Sequence, residues 1–232
     1  MSIDISQPPS SSAIPQFATP LDLAARFGDI PLSRIRFTPP PGEATDEDVL
    51  AINDHEGRLF ELVDGTLVEK AMGSYESLIA GYLLTELNIY LKSHRIGIAL
   101  PPDGFLRLRV KLIRIPDVSF IAREALQKGK FPRRGIATMA PTIAVEVISE
   151  SNTKREMEGK LDEYFQYGAK EVWYIYPDTK TLLRYTARQQ IETLTEQDTL
   201  TTPVLPGFAC PLGPLFAHPD DEDWDAKEAG TP

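Results

Sequence analysis

A single cysteine, Cys210, stands in a chain of 232 residues, and one thiol cannot form an internal disulfide framework. Histidine is almost as scarce, and His55, His94 and His218 show no metal-ligand spacing. No uninterrupted apolar stretch reaches the ~20 residues that a bilayer span needs. No basic segment followed by an apolar core opens the chain in the manner of a secretion signal. These absences argue against a disulfide-stapled secreted fold and against a membrane-spanning one. The expectation is a soluble, cytoplasmic protein with no membrane partner.

Positive charge is also in deficit, with a formal net charge of −10. Read as a sum, this argues against a polyanionic partner, but its distribution carries more information. From Lys92 to Arg134 there are eleven Lys or Arg residues against three acids, Asp103, Asp117 and Glu124. The excess acid lies between Glu43 and Glu69 and after His218, so a basic face is compatible with an acidic body. An ordinary solvated surface is the blander reading of the same pattern.

The 42% hydrophobic content suits one sizeable core, and no tandem repeat is visible. Residues 1–45, rich in proline and serine, read as a flexible arm. A domain over 46–216 and an acidic tail over 217–232 follow. Within the domain, Thr45 ahead of Asp46-Glu47-Asp48 caps a short helix, and Phe60 to Glu69 reads as a hairpin turning at Asp64-Gly65. Leu78, Ile79, Tyr82, Leu83, Leu87 and Leu91 recur at helical spacing between Ser74 and Lys92. Strands are expected at Ile98–Leu100, Phe105–Val110, Pro116–Ile121 and Ile143–Ile148, with a long connection from Ala122 to Pro141. Loops of that length are usually functional or mobile. A second helix starts after Ser149, where Thr153 and Glu156 have capping-box spacing, and ends at Gly168. Its stripe is Met157, Leu161, Tyr164 and Phe165. Val172–Tyr176 and Leu182–Tyr185 complete the sheet, with Tyr164, Trp173 and Tyr174 expected in the core. Mixed strands flanked by helices make an α/β layer.

Two of these strands carry an acid among apolar neighbours on both faces, Asp117 and Glu146. Burying a carboxylate costs several kcal/mol unless a cation, a lysine or donor groups compensate it. Two such acids in one chain suggest a divalent metal. Each also has a plainer reading: Asp117 as a turn cap at a strand entrance, and Glu146 as half of a structural salt bridge with Lys160.

The runs ELVDGTLVEK, RIPDVSFI, AVEVISESNTKREMEGKLDEYF and VWYIYPDTKT, in this order, resemble the Uma-two family of restriction-endonuclease-like proteins over about residues 45 to 215. Asp117 in a Pro-Asp strand, Glu146 in the next core strand and a lysine soon after are similar to the PD-(D/E)XK nuclease superfamily. The resemblance implies a restriction-endonuclease-like mixed sheet flanked by helices. It also implies a Mg²⁺- or Mn²⁺-dependent endonuclease that hydrolyses DNA phosphodiester bonds to 5′-phosphate and 3′-hydroxyl ends. A homodimer is a further implication by analogy. One departure stands out: Ile148 occupies the position two residues after Glu146 where the superfamily expects lysine. Residues i and i+2 of a strand share a face, so Ile148 cannot serve. The resemblance suggests that the lysine comes from the following helix as Lys160, with Lys154 as competitor. Asp117 and Glu146, with a backbone carbonyl near Val147 and Glu61, would hold the ion. Glu61 could instead brace its hairpin, with Glu76 as the alternative acid. The basic segment, Lys128, Lys130, Arg133 and Arg134 included, would supply phosphate contacts. A catalytically silent nucleic-acid-binding relative and a structural or interaction protein are the competing functions.

Overall fold

The computed structural model describes residues 19–70, 73–128, 131–218 and 220. The described strands form two main sheets and one small ladder. The first is antiparallel, in the order β1 (Ile35–Arg36), β3 (Thr66–Glu69), β2 (Phe60–Val63), β6 (Leu112–Arg114), β5 (Leu106–Arg109). The second is mixed, in the order β11 (Gln190–Thr195), β10 (Thr181–Ala187), β9 (Glu171–Tyr176), β8 (Ile143–Val147), β7 (Val118–Ala122), β4 (Gly97–Leu100). Its parallel pair is β8 with β9, joined by the crossover helix α5 (Lys154–Gln166). A small ladder of β12 (Thr199–Leu200) with β13 (Cys210–Pro211) and the short α6 (Leu212–Leu215) close the described chain.

Side-chain alternation assigns the faces. On the second sheet Val118, Phe120, Val145, Val147, Trp173 and Ile175 pack against Ile79, Leu83 and Leu87 of α3 (Ser74–Ser93). The opposite face, with Ala144, Val172 and Tyr174, receives Met157, Leu161 and Tyr164 of α5. On the first sheet Phe60, Leu62, Leu67 and Ile113 pack on Val49 and Ile52 of α2 (Asp46–Glu56). Asp48 accepts from the Thr45 amide at 2.8 Å, so the expected cap holds. The buried stripe of α5 runs Met157, Lys160, Leu161, Tyr164. A lysine therefore sits in a row where helical spacing demands burial.

Several expectations need correction. Residues 1–18 of the expected arm lie outside the described residues, but 19–45 are folded against the body. Leu23 and Phe27 of α1 (Pro20–Phe27), with Ile30 and Ile35, pack on Val63, Val68 and Leu112. A one-sided helix of 8 residues between prolines gives too short a periodic window to be read from sequence. Gly28 (φ 73°) then lets the chain press on the start of α5, where a Cβ would meet Glu156 N at 2.8 Å. The single strand expected over Phe105–Val110 is the first arm of a hairpin. The chain reverses at Val110-Lys111, with Lys111 at φ 59°, and returns as β6. No Gly or Asn marks that turn, and the apolar/basic alternation runs straight through it. The long connection contains α4 (Arg123–Lys128), and Ala137 bridges to Leu106. Of the expected tail, only Ala217, His218 and Asp220 are described.

Candidate active site

Strand register brings the acids together in two pairs. In the second sheet Val118 faces Val145 and Ser119 faces Ala144, so the same antiparallel register sets Asp117 opposite Glu146. Directly opposed residues have Cβ atoms ~5 Å apart. In the first sheet Leu62 faces Ile113, which sets Glu61 opposite Arg114. Helix α5 crosses between the pairs and delivers Lys160 and, one turn later, Tyr164.

Lys160 Nζ lies 3.3 Å from Glu146 Oε2 and 3.3 Å from Glu61 Oε1, with the side chain only 4% exposed. Tyr164 donates its hydroxyl to Glu146 Oε1 at 2.5 Å. Glu61 also accepts from Arg114 at 2.7 Å and from the Ile115 amide at 3.1 Å. Arg114 reaches on to Glu163 at 2.6 Å. Asp117 Oδ2 accepts from the Val147 amide at 2.7 Å. The amide of Asp117 donates to the Val145 carbonyl at 2.9 Å.

Burial and neighbours drive the two glutamates apart. Burial raises the Glu146 carboxyl to about 7, with Lys160 pulling it down and the charges of Asp117 and Glu61 pushing it up. Burial alone would raise Glu61 too, but Lys160 and Arg114 outweigh it and hold that carboxyl down to about 2. The Lys160 ammonium is held in its charged form: burial works against it, and Glu146 and Glu61 more than compensate. Burial, then Glu146, pushes the Tyr164 hydroxyl well above its ordinary value, so it stays a donor.

The other candidates separate clearly. Lys154 is 91% exposed on its side chain and reaches only Glu158, at 3.9 Å. Ile148 packs beside the α5 stripe. Glu76 lies in the first turn of α3 with its carboxyl folded over Gly73. Thr153 accepts from the Glu156 amide, but the Glu156 carboxylate turns to Arg34 at 2.9 Å and does not complete the box. The basic segment is no single face. Arg107 pairs with Asp46 and Arg109 with Asp64. Lys111 donates to the Gly42 carbonyl at 2.8 Å, and Arg114 is buried in the site. Lys92, Arg95, Arg123, Arg133 and Arg134 are exposed. The Lys128 side chain and all of Lys130 lie outside what the structure describes.

A family model described as "Putative restriction endonuclease" matches residues 46–213. The chain belongs to this family, Uma2. The fold is shared with a crystal structure of "a putative nuclease belonging to DUF820" from Anabaena variabilis ATCC 29413. That structure is 19% identical, with a TM-score of 0.61 over 74% of this chain and 97% of the other. No functionally curated protein matches the chain. No described helix is long and apolar enough to cross a membrane.

Among the described residues no group of three or more His, Cys, Asp and Glu side chains converges as a metal cage. The Uma2 site offers two opposed carboxylates. That donor set suits Mg²⁺, which keeps several waters and binds through one or two carboxylates plus substrate phosphates. The side chain that sequence reasoning missed is Lys70, just past β3. It closes the run ELVDGTLVEK, where a lysine at a strand end reads as solvated. Its Nζ instead lies 2.8 Å from Asp117 Oδ1, with a side chain 5% exposed.

Proposed function

We propose that this Uma2 protein is a metal-dependent endonuclease of the PD-(D/E)XK type that hydrolyses DNA phosphodiester bonds. Asp117 and Glu146 are the residues that would hold Mg²⁺ or Mn²⁺, and Lys160 is the catalytic lysine. The observation that carries this reading is the pairing of two buried carboxylates by strand register, with an ammonium from α5 3.3 Å from one of them. Family membership supports the reaction class.

When bound, the divalent ion supplies a water of lowered pKa and neutralises charge on the phosphate in the transition state. The chain's own groups do the rest. Asp117 and Glu146 bind and aim. Lys160 carries a fixed positive charge to the scissile phosphate and donates a hydrogen bond to the attacking oxygen or to a phosphate oxygen, a preorganised contribution of the oxyanion-hole kind. Glu61 differs from Asp117 and Glu146 in standing on the first sheet and in being shared by two buried cations, Arg114 and Lys160, as well as by the Ile115 N–H. We therefore give Glu61 the role of positioning Lys160 and not that of a third ligand. Tyr164 fixes the Glu146 carboxyl in one orientation. Arg133 and Arg134, exposed on the connection before β8, are the groups we assign to phosphate contacts.

One observation favours a non-cleaving nucleic-acid-binding protein instead: Asp117 and Glu146 each already face a buried lysine, so the cluster is satisfied without an ion. Plasmid cleavage separates the two. Wild-type protein with Mg²⁺ or Mn²⁺ should convert supercoiled plasmid to open circles, chelator should abolish this, and Glu146→Gln should retain at most about one hundredth of the rate. DNA binding without cleavage, across ions and pH, would sink the endonuclease reading in favour of the silent one.

A further inference from the structure

Lys70 is held in a way that the proposed chemistry does not require. Its ammonium lies 2.8 Å from Asp117 Oδ1 and donates to the backbone carbonyls of Ile115 at 2.6 Å and Pro102 at 3.2 Å. An ammonium has three donors and no acceptor, so these three oxygens account for all of them. The two carbonyls hold the cation in place whatever happens at Asp117. This lysine is thus a fixed positive charge built against one of the two carboxylates proposed to bind the metal.

The consequence is electrostatic. With Glu146 ionised, it and Asp117 bring two negative charges, and Lys70 and Lys160 bring two positive ones. An ion held by Asp117 would lie close to the Lys70 ammonium, in a site largely shielded from water where charges act strongly. Metal affinity depends on the charge count of the ligands, and here that count is cancelled. A nucleic-acid backbone restores it, because each phosphate adds one negative charge. By linkage, whatever makes the ion bind more tightly with nucleic acid present makes nucleic acid bind more tightly with the ion present.

Resting on the endonuclease reading above, we propose that Lys70 is a positioning residue that holds Asp117 and lowers its affinity for a divalent ion until a phosphodiester backbone enters the site. The ion is then loaded together with the substrate. Such an arrangement keeps the hydrolytic centre idle in the absence of DNA. Lys70 also borders a cleft of ≈ 370 Å³ formed with Leu59, Ser77, Pro101, Pro102 and Asp103, so an uncharged side chain has room there.

The test is Mn²⁺ binding to the full chain by calorimetry, alone and with a phosphorothioate DNA duplex that resists cleavage. Wild-type protein should bind Mn²⁺ at least tenfold more tightly with the duplex than without. Lys70→Met should bind Mn²⁺ at least tenfold more tightly than wild type without DNA. Lys70→Gln, which retains a donor for the two carbonyls, should behave alike and serves if the methionine variant does not fold. Mn²⁺ affinity in the variants equal to or below wild type overturns the proposal, as does wild-type affinity that ignores the duplex. Asp117→Asn is the control for the underlying reading and should abolish tight binding in every background. If Asp117→Asn binds Mn²⁺ like wild type, the metal site itself is misassigned and the role of Lys70 falls with it.

Discussion

Replacing Lys160 with methionine removes the charge and keeps most of the stem, so its cost can be worked from the contacts. Glu61 keeps Arg114 and the Ile115 amide, whereas Glu146 keeps only the Tyr164 hydroxyl among its close partners. Breaking a buried pair by removing one partner costs about 3–5 kcal/mol, and here most of that falls on Glu146, which can limit it by taking up a proton. In the wild-type protein burial has already raised this carboxyl to about 7, with Lys160 restraining it. Removing Lys160 raises it further. Below pH 7 the wild-type Glu146 is neutral in the fold, so the variant loses little there beyond the contact with Glu61. Above pH 7 the wild-type group is ionised and paired, and the variant must draw a proton from solution at about 1.4 kcal/mol per pH unit. The destabilisation should therefore be about 1 kcal/mol larger at pH 8 than at pH 6. Urea unfolding followed by fluorescence of the buried Trp173 measures both. A destabilisation that is equal at the two pH values, or larger in acid, would refute the argument that Lys160 compensates Glu146. Cleavage should fall by about 10²-fold or more. Lys154→Met, at an exposed site, should stay within about 0.5 kcal/mol of wild type and cleave normally.

Other consequences are as specific. Tyr164→Phe leaves the Glu146 carboxyl without its shortest hydrogen bond and should cost about 1–3 kcal/mol in the same unfolding assay; no loss would mean that the contact is idle. Glu61 has its carboxyl depressed to about 2, so its contribution is present above the ordinary carboxylate value near 4.5 and is lost as pH falls toward 2. Glu61→Gln should consequently be much less stable than wild type at pH 7, with melting temperatures converging near pH 2, and a constant gap would contradict the assignment. Neutralising Arg133 and Arg134 should weaken DNA binding and flatten its salt dependence by about one unit of slope per lost contact. An unchanged slope removes these two from the interface.

The mixed sheet and its two main helices were legible because each rests on strong local periodicity. Asp117 and Glu146 stood out because a carboxylate among apolar neighbours on both faces of a strand has few explanations. Lys160 was legible through the family resemblance and its place beside the apolar stripe of α5. What escaped the sequence depends on contacts distant along the chain. Lys70 meets Asp117 across 47 residues only because β3 and the Ile115 carbonyl converge. Arg114 counted as part of a basic surface until strand pairing set it opposite Glu61. The folded segment from Thr19 to Thr45 is anchored by the buried Arg34, whose partners Glu69, Ser151 and Glu156 lie 35 to 122 residues away. Charge runs in a sequence do not say which cations face water, and here Arg107, Arg109 and Arg114 turn to acids of the protein itself.

The central claim is that Asp117 and Glu146 share a divalent ion at the scissile phosphate. Anomalous scattering from crystals grown with Mn²⁺ and a cleavage-resistant DNA duplex tests it most directly. One strong peak should lie against both carboxylates and a phosphate oxygen, within reach of Lys160, and should be lost in Asp117→Asn. Mn²⁺ bound elsewhere, or a fully occupied duplex with Lys70 and Lys160 still closing both carboxylates and no ion between them, would contradict it.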